Sequence, residues 1–224
     1  MFGQIARRYD LLNHLLSLGI DRSWRRRTTR LVRPQGDAPI LDVCTGTGDL
    51  AMAYWRASGG RMPIVGVDFC RPMLQIGRQK CRRAGCDDRV TLVEGDAAQL
   101  PLADDRFQIV CVAFGLRNVS DTQQGLAEMV RVCRPGGQVA VLEFSMPTFW
   151  PLKALYGLYF RWVVPLVGQT LARNRQGAYN YLPESVGEFP QAEALAQRMR
   201  AAGLHGVRFH PLTFGVATLY VGVK

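Results

Sequence analysis

A chain of 224 residues with 48% hydrophobic and 21% charged side chains fits one folded domain with a core of ordinary size and leaves too little for two full domains. The 28 Lys and Arg against 18 Asp and Glu give a net charge of +10, which suits an anionic partner: nucleic acid or an anionic membrane surface. Six cysteines without a Cys-x-x-Cys pair, two of them (Cys44 and Cys111) in apolar runs, argue against a zinc site or a disulfide framework, and no metal is expected.

Residues 2–32 read as helical, with Ile5, Leu11, Leu12, Leu15 and Leu16 at roughly helical spacing before a break at Gly19 and a basic second helix from Ser23 to Val32. Short apolar runs then alternate with longer helical stretches. Ile40–Cys44, Ile64–Asp68, Val90–Glu94, Ile109–Phe114 and Gln138–Phe144 read as five strands. Strands alternating with helices imply crossover units and a parallel sheet covered on both faces. Residues 146–182 form an apolar insertion rich in aromatic residues, among them Phe149, Trp150, Tyr156, Tyr159, Phe160 and Trp162. Pro190–Ala202 reads as a helix, and Gly206–Leu212 with Ala217–Val223 as a closing antiparallel strand pair. One α/β domain over residues 1–224 is expected, with a mostly parallel seven-stranded sheet and a helical lid at residues 1–33. The apolar stretch from Leu155 to Val167 is interrupted by Arg161 and Pro165, and no secretory pattern opens the chain, so a cytoplasmic location is expected.

Leu41-Asp42-Val43-Cys44-Thr45-Gly46-Thr47-Gly48-Asp49 is a strand running straight into a glycine turn and then a helix. Glycines allow close backbone approach to a ligand, and the helix start offers unpaired N–H donors. The turn alone fits a dinucleotide, another nucleoside cofactor, or no ligand. Asp68 ends the second strand, 20 positions after Gly48, where a carboxylate can accept from both ribose hydroxyls. Glu94-Gly95-Asp96-Ala97 puts an acid at the next strand end, suited to an adenine edge. Asp42 and Asp49 beside the turn would repel a pyrophosphate but stabilise a sulfonium and an α-amino group. Taken singly, Asp49 fits a helix cap and Asp96 a turn residue. Their order at successive strand ends, where open parallel sheets bind ligands, favours a site.

The arrangement resembles a Rossmann-like class I methyltransferase. Further stretches resemble the ubiquinone/menaquinone biosynthesis C-methyltransferase family: Tyr9-Asp10-Leu11-Leu12-Asn13 through Ser17, Gly19, Arg22 and Trp24; Phe114-Gly115-Leu116-Arg117-Asn118; Arg131 to Gly137 through Leu142-Glu143-Phe144-Ser145; and Tyr181-Leu182-Pro183-Glu184-Ser185. The likeness covers nearly the whole chain. Leu12, Asp21 and Ala113 depart from the family pattern. The resemblance implies S-adenosylmethionine as cofactor, contacted by Thr47, Asp68, Asp96 and Ala97. With the residues of the glycine turn and strand ends, the expected cofactor site comprises Asp42, Thr45, Gly46, Thr47, Gly48, Asp68, Asp96, Ala97 and Ala113.

It also implies a polyprenyl quinol as substrate, either demethylmenaquinol, the favoured reading, or a methoxy-benzoquinol. A reduced ring is required, because a quinol oxygen that loses its proton makes the adjacent carbon electron-rich. Something must accept that proton and something must hold the ring in line. Arg117 and Asn118 follow strand four; the arginine can stabilise a phenolate or polarise a water, and the asparagine can fix a hydroxyl. Arg117 can equally pair with Glu143 and brace the loop. Asp10 is an alternative proton acceptor on the lid, with Tyr9 beside it, although a cap and a packing residue fit those positions too.

A nucleic-acid methyltransferase would be expected to carry an Asn-Pro-Pro-aromatic motif or a catalytic cysteine after strand four, where this chain has Ala113-Phe114-Gly115-Leu116; no nucleic-acid partner is expected. A non-catalytic nucleotide-binding module would bind cofactor without turnover, and a dehydrogenase is disfavoured by the acids round the turn. The insertion, with Lys153 and Arg161, suits peripheral contact with an anionic membrane at its inner face, and a homodimer is compatible with the chain.

Overall fold

The computed structural model describes residues 10, 11, 13–147, 149–159 and 185–224. In chain order these give α1 (Ile20–Leu31), β1 (Ile40–Val43), α2 (Asp49–Ala57), β2 (Ile64–Asp68), α3 (Arg71–Ala84), β3 (Val90–Glu94), β4 (Phe107–Ala113), α4 (Thr122–Val132), β5 (Cys133–Phe144), α5 (Trp150–Leu158), α6 (Glu193–Ala201), β6 (His205–Leu212) and β7 (Ala217–Val223). The seven strands form one sheet in the order β3-β2-β1-β4-β5-β7-β6. β1 pairs in parallel with β2 and β4, while β7 runs antiparallel between β5 and β6.

Strand periodicity divides the core. Leu41, Val43, Val110, Val112, Val139 and Val141 face α4 and α6, and Ile40, Ile109, Cys111, Ala140 and Leu142 face α1, α2 and α3. All four residues of β1 are buried, so three are apolar with no alternation and the fourth, Asp42, is a carboxylate that must find partners inside. Each buried Leu, Val or Ile contributes about 1.5–3 kcal/mol of transfer free energy. The first reversal of strand order, between β2-β1 and β4, lies beside β1, and a ligand crevice opens at that point at the carboxyl ends.

Several boundaries differ from the sequence expectation. β1 ends at Val43 and β4 at Ala113, because Cys44 (φ 53) and Phe114 (φ 58) leave the extended region. The basic helix begins at Ile20 instead of Ser23, directly after Gly19 (φ 75) stops the preceding turn. β5 starts at Cys133, before the Pro-Gly-Gly turn; the register passes from Phe107↔Cys133 to Ile109↔Gln138, so the turn is an excursion within the strand. A Cβ on Gly137 would lie 2.7 Å from Cys133 Sγ and 2.9 Å from Arg134 O, so only glycine fits there. α6 is shorter than expected because Ala192, at φ 50, starts it late. No helix among the described residues is long and apolar enough to cross a membrane.

Candidate active site

The glycine turn is built around a buried carboxylate. Asp42 Oδ2 accepts from Thr45 Oγ1 at 2.6 Å and from the Ala51 backbone N–H at 3.1 Å, tying β1 to the turn and to the first turn of α2. Burial pushes its carboxyl up to about 7, against those two donors. Asp42 and Thr45 therefore hold the turn from behind, and neither lines the adjacent cleft. Gly46 (φ 58) and Gly48 (φ 82) adopt backbone that disfavours a side chain, and they carry the chain past the strand end.

Asp68 closes the other side. Its Oδ2 accepts from Gly46 N–H and its Oδ1 from Cys70 N–H, each at 2.8 Å, which locks the carboxylate across the turn. Burial raises its pKa, against these two N–H bonds. Each carboxylate oxygen keeps a second lone pair for hydroxyls. A cleft of about 270 Å³ opens here, and Gly46, Asp68, Asp96, Ala97, Ala113 and Asn118 line it together. Asn118 Oδ1 is buried without a hydrogen-bond partner among the described residues, an acceptor waiting for a donor from a bound ligand. Asp96 is exposed and holds Ala98 N–H at 2.9 Å. Phe69, a large exposed aromatic in the cleft wall, offers a face for a base and was not singled out from the sequence. A nucleoside with a cationic amine suits this donor-poor, acceptor-rich lining.

The loop after β4 is braced on all sides. Arg117 Nη1 donates to Glu143 Oε2 and to Phe114 O, both at 2.7 Å, and the Arg117 backbone N–H points to Glu143 Oε1 at 3.3 Å. The side chains of Arg117 and Glu143 are 9% and 1% exposed. Arg117 thus makes the bracing ion pair, yet its Nε–H is buried with no partner among the described residues. The guanidinium sits 5.3 Å from the Phe144 ring, which packs tilted against Phe114 with centroids 4.4 Å apart; the Arg25 guanidinium lies 5.8 Å from the Phe114 ring. A Cβ on Gly115 would lie 2.4 Å from Cys44 Cβ, so this glycine lets the β1 and β4 ends approach. Tyr156 of α5 lies within electrostatic reach of Arg117; burial pushes its phenol up, Tyr159 adds to this, and Arg117 opposes it.

The segment before α1 reaches the opposite side of the turn. Asp10 Oδ1 accepts from Thr47 Oγ1 at 2.6 Å and Oδ2 from Lys80 Nζ at 2.7 Å, so both carboxylate oxygens are engaged. Lys80 also donates to Thr47 at 3.0 Å and pairs closely with Asp49. Burial would raise the Asp49 pKa, but Arg25 and Lys80 outweigh it and hold the carboxyl low. Asp21 pairs with Arg25 and with His14 at 2.7 Å, and accepts from Ser17 at 2.7 Å. His14, Asp21 and Asp49 converge, with Arg25 and Lys80 already supplying positive charge to the two carboxylates. Asp10 lines a separate, arginine-rich groove and not the cleft that holds Asn118. Thr47 and Gly48 line neither. Tyr9 lies outside the described residues, as do Phe160, Arg161, Trp162 and Tyr181–Glu184.

The sheet order, the glycine turn and the acids at the β2 and β3 ends define a class I methyltransferase; the solved structure of an S-adenosylmethionine-dependent methyltransferase from Thermotoga maritima has the same fold, with TM-score 0.68 and 19% identity over 100% of both chains. The chain belongs to the ubiE/COQ5 methyltransferase family, whose model matches residues 1–224. It is 48% identical to a Thermus thermophilus demethylmenaquinone methyltransferase, covering 99% of each chain. It is 43% identical to a Geotalea daltonii ubiquinone/menaquinone biosynthesis C-methyltransferase, covering 100% of this chain and 94% of that one.

Proposed function

We propose that the chain is an S-adenosylmethionine-dependent C-methyltransferase acting on a polyprenyl quinol, with demethylmenaquinol preferred over a methoxy-benzoquinol. The observation that carries the cofactor is the cleft in which Asp68, Asp96 and the unpartnered Asn118 Oδ1 converge beside the glycine turn. Family membership and the relatives' names support the substrate class, and the 48% identity to a demethylmenaquinone methyltransferase supports the preference.

S-adenosylmethionine, when bound, supplies an electrophilic methyl group on a sulfonium. Asp68 holds hydroxyls with its remaining lone pairs, Gly46 and Ala97 provide close backbone approach, and Ala113 leaves room at the β4 end. Asp96 accepts at the β3 end. Asp42, Thr45, Thr47 and Gly48 set the shape of the turn. Arg117 stabilises the developing phenolate through its unused Nε–H while Glu143 fixes the guanidinium plane, so bracing and chemistry use different nitrogens. Arginine stays protonated, so the phenolic proton leaves to a water polarised at this point or to a nearby carboxylate. Asp10 serves as a latch between the N-terminal segment and Thr47, with both its oxygens bonded.

Purified protein with labelled S-adenosylmethionine should methylate reduced demethylmenaquinol faster than the methoxy-benzoquinol and leave the oxidised quinone untouched. Methylation of a nucleic acid but of neither quinol would overturn the reading. Arg117→Ala should lower turnover more than cofactor affinity.

A further inference from the structure

One face that the proposed reaction does not use carries a cluster of arginines. A groove of about 1420 Å³ runs between α1 and α2, away from the nucleoside cleft. From α1 and the residues after it come Arg22, Arg26, Arg30 and Arg33, at helical spacing and all exposed; from α2 and beyond come the exposed Arg56 and Arg61. None of these six has a carboxylate partner among the described residues, whereas Arg25 and Lys80, deeper in the groove, are neutralised by Asp21, Asp49 and Asp10. Like charges along one helix stripe repel each other, and of the described carboxylates lining the groove only Asp37 is outside the ion pairs of Arg25 and Lys80, one acid against six arginines. An anion from outside would offset them.

The cations are arginines, whose forked donors match phosphate oxygens. Among the described residues no phenylalanine, tyrosine or tryptophan lines the groove, which gives it no stacking platform of the kind a single-stranded nucleic-acid site uses. Beside it the segment that carries Asp10 and His14 exposes Leu11, Leu15 and Leu18, the last 80% exposed. Two hydrogen bonds bring further apolar tips alongside. Tyr159 Oη donates to Leu16 O at 2.6 Å, holding α5 with its exposed Phe149 and Trp150 against the segment; Trp24 Nε1 donates to Thr213 Oγ1 at 2.7 Å, placing exposed Phe214 next to α1. Cations beside projecting apolar side chains match the headgroup and acyl layers of an anionic bilayer.

We propose that the α1 arginine stripe and the leucines before it form a docking face for anionic phospholipid, which presents the lid and α5 to the bilayer where a polyprenyl quinol resides. The choice of a bilayer over other phosphate arrays rests on the proposed substrate class. The arginines hold headgroup phosphates and Leu15 and Leu18 enter the acyl boundary.

Sedimentation with phosphatidylglycerol-containing vesicles, against phosphatidylcholine alone, tests this. The whole chain should bind the anionic vesicles at low salt and lose them as salt rises. Arg22→Gln with Arg26→Gln and Arg30→Gln should lower partitioning by about 100-fold, the three Arg→Lys changes should keep most of it, and Leu15→Ser with Leu18→Ser should weaken it while leaving the salt dependence. No wild-type binding at low salt, wild-type partitioning by the Gln variant, or tighter binding of a duplex DNA to the same stripe would each overturn the proposal. Methyl transfer to a short-tailed, water-soluble quinol separates the two readings. It should be unchanged in the Gln variant, which also shows that the variant is folded, and its absence in the wild type would refute the enzymatic reading without touching the vesicle result.

Discussion

Glu143→Ala is expected to destabilise this protein by about 3–5 kcal/mol, the range for breaking a buried ion pair by removing one partner. The lost bonds are the 2.7 Å contact from Arg117 Nη1 and the weaker ones from the Arg117 and Phe144 backbone N–H groups at 3.3 and 3.2 Å. A charge-assisted bond contributes about 1.5–3 kcal/mol, and the rest of the loss comes from leaving a guanidinium buried beside Phe114 O and the Phe144 ring with no carboxylate partner among the described residues. Domains of this size are stable by about 5–15 kcal/mol, so the urea midpoint should drop by a large fraction at unchanged slope. Arg117→Met combined with Glu143→Leu should regain most of the stability, because a packed apolar pair replaces the ion pair at little net cost. Turnover of the double variant should nonetheless fall by about 10²-fold or more, with cofactor affinity by calorimetry unchanged. A loss under about 1 kcal/mol for the single change would refute the buried-pair argument. A stable double variant with full turnover would reduce Arg117 to a brace.

Asp42→Asn should flatten the pH dependence of stability. The folded carboxyl keeps its proton up to about pH 7 while the unfolded one releases it near its ordinary 3.8, so the folded state binds the extra proton and stability falls as pH rises between those values. Urea midpoints across that window should show the fall in the wild type and lose it in the variant. Gly115→Ala drives a methyl group into Cys44 Cβ and should cost about 1–3 kcal/mol together with cofactor affinity, read by thermal shift with and without S-adenosylhomocysteine. Lys80→Met removes the cation shared by Asp10, Thr47 and Asp49, and amide exchange over residues 13–18 should quicken by about fivefold, corresponding to about 1 kcal/mol for a part-exposed network, with little change in global melting.

The parallel strands were legible because burial on both faces leaves mostly apolar residues, as in Ile40–Val43 and Phe107–Ala113, where only Asp42 and Gln108 are polar. The place of Asp68 and Asp96 in the cleft lining was legible because clefts of open parallel sheets form where strands end, a position that the glycine turn indexes. Asp42 was read as facing a ligand, and it instead ties the turn from behind; one strand position decides between those faces, and sequence distance does not reveal which hydroxyl a carboxylate takes. Lys80 gave no signal, since a single lysine on an amphipathic helix normally points to solvent, and its partners Asp10, Thr47 and Asp49 lie 70, 33 and 31 residues away. The strand-five boundary was missed because Pro-Gly-Gly is the composition of a turn, and pairing resumes around it through Cys133. The arginine groove was legible as net charge but not as a place, because α1 and α2 contribute to it separately.

The column Arg25, Phe114, Phe144, Arg117 sets two cations at the ends of a pair of touching rings. One end is anchored in the acids that hold the N-terminal segment to the glycine turn, and the other stands beside the buried carboxylate of β5. Such a packed column has little compliance, because the tilted rings cannot separate without losing contact with each other and with the cations beside them. A displacement of the segment before α1 would therefore reach Arg117 across the molecule instead of along the chain. On the proposed function, cofactor and quinol should consequently communicate through these four side chains, occupancy of one site stiffening the column and making the other cheaper to fill.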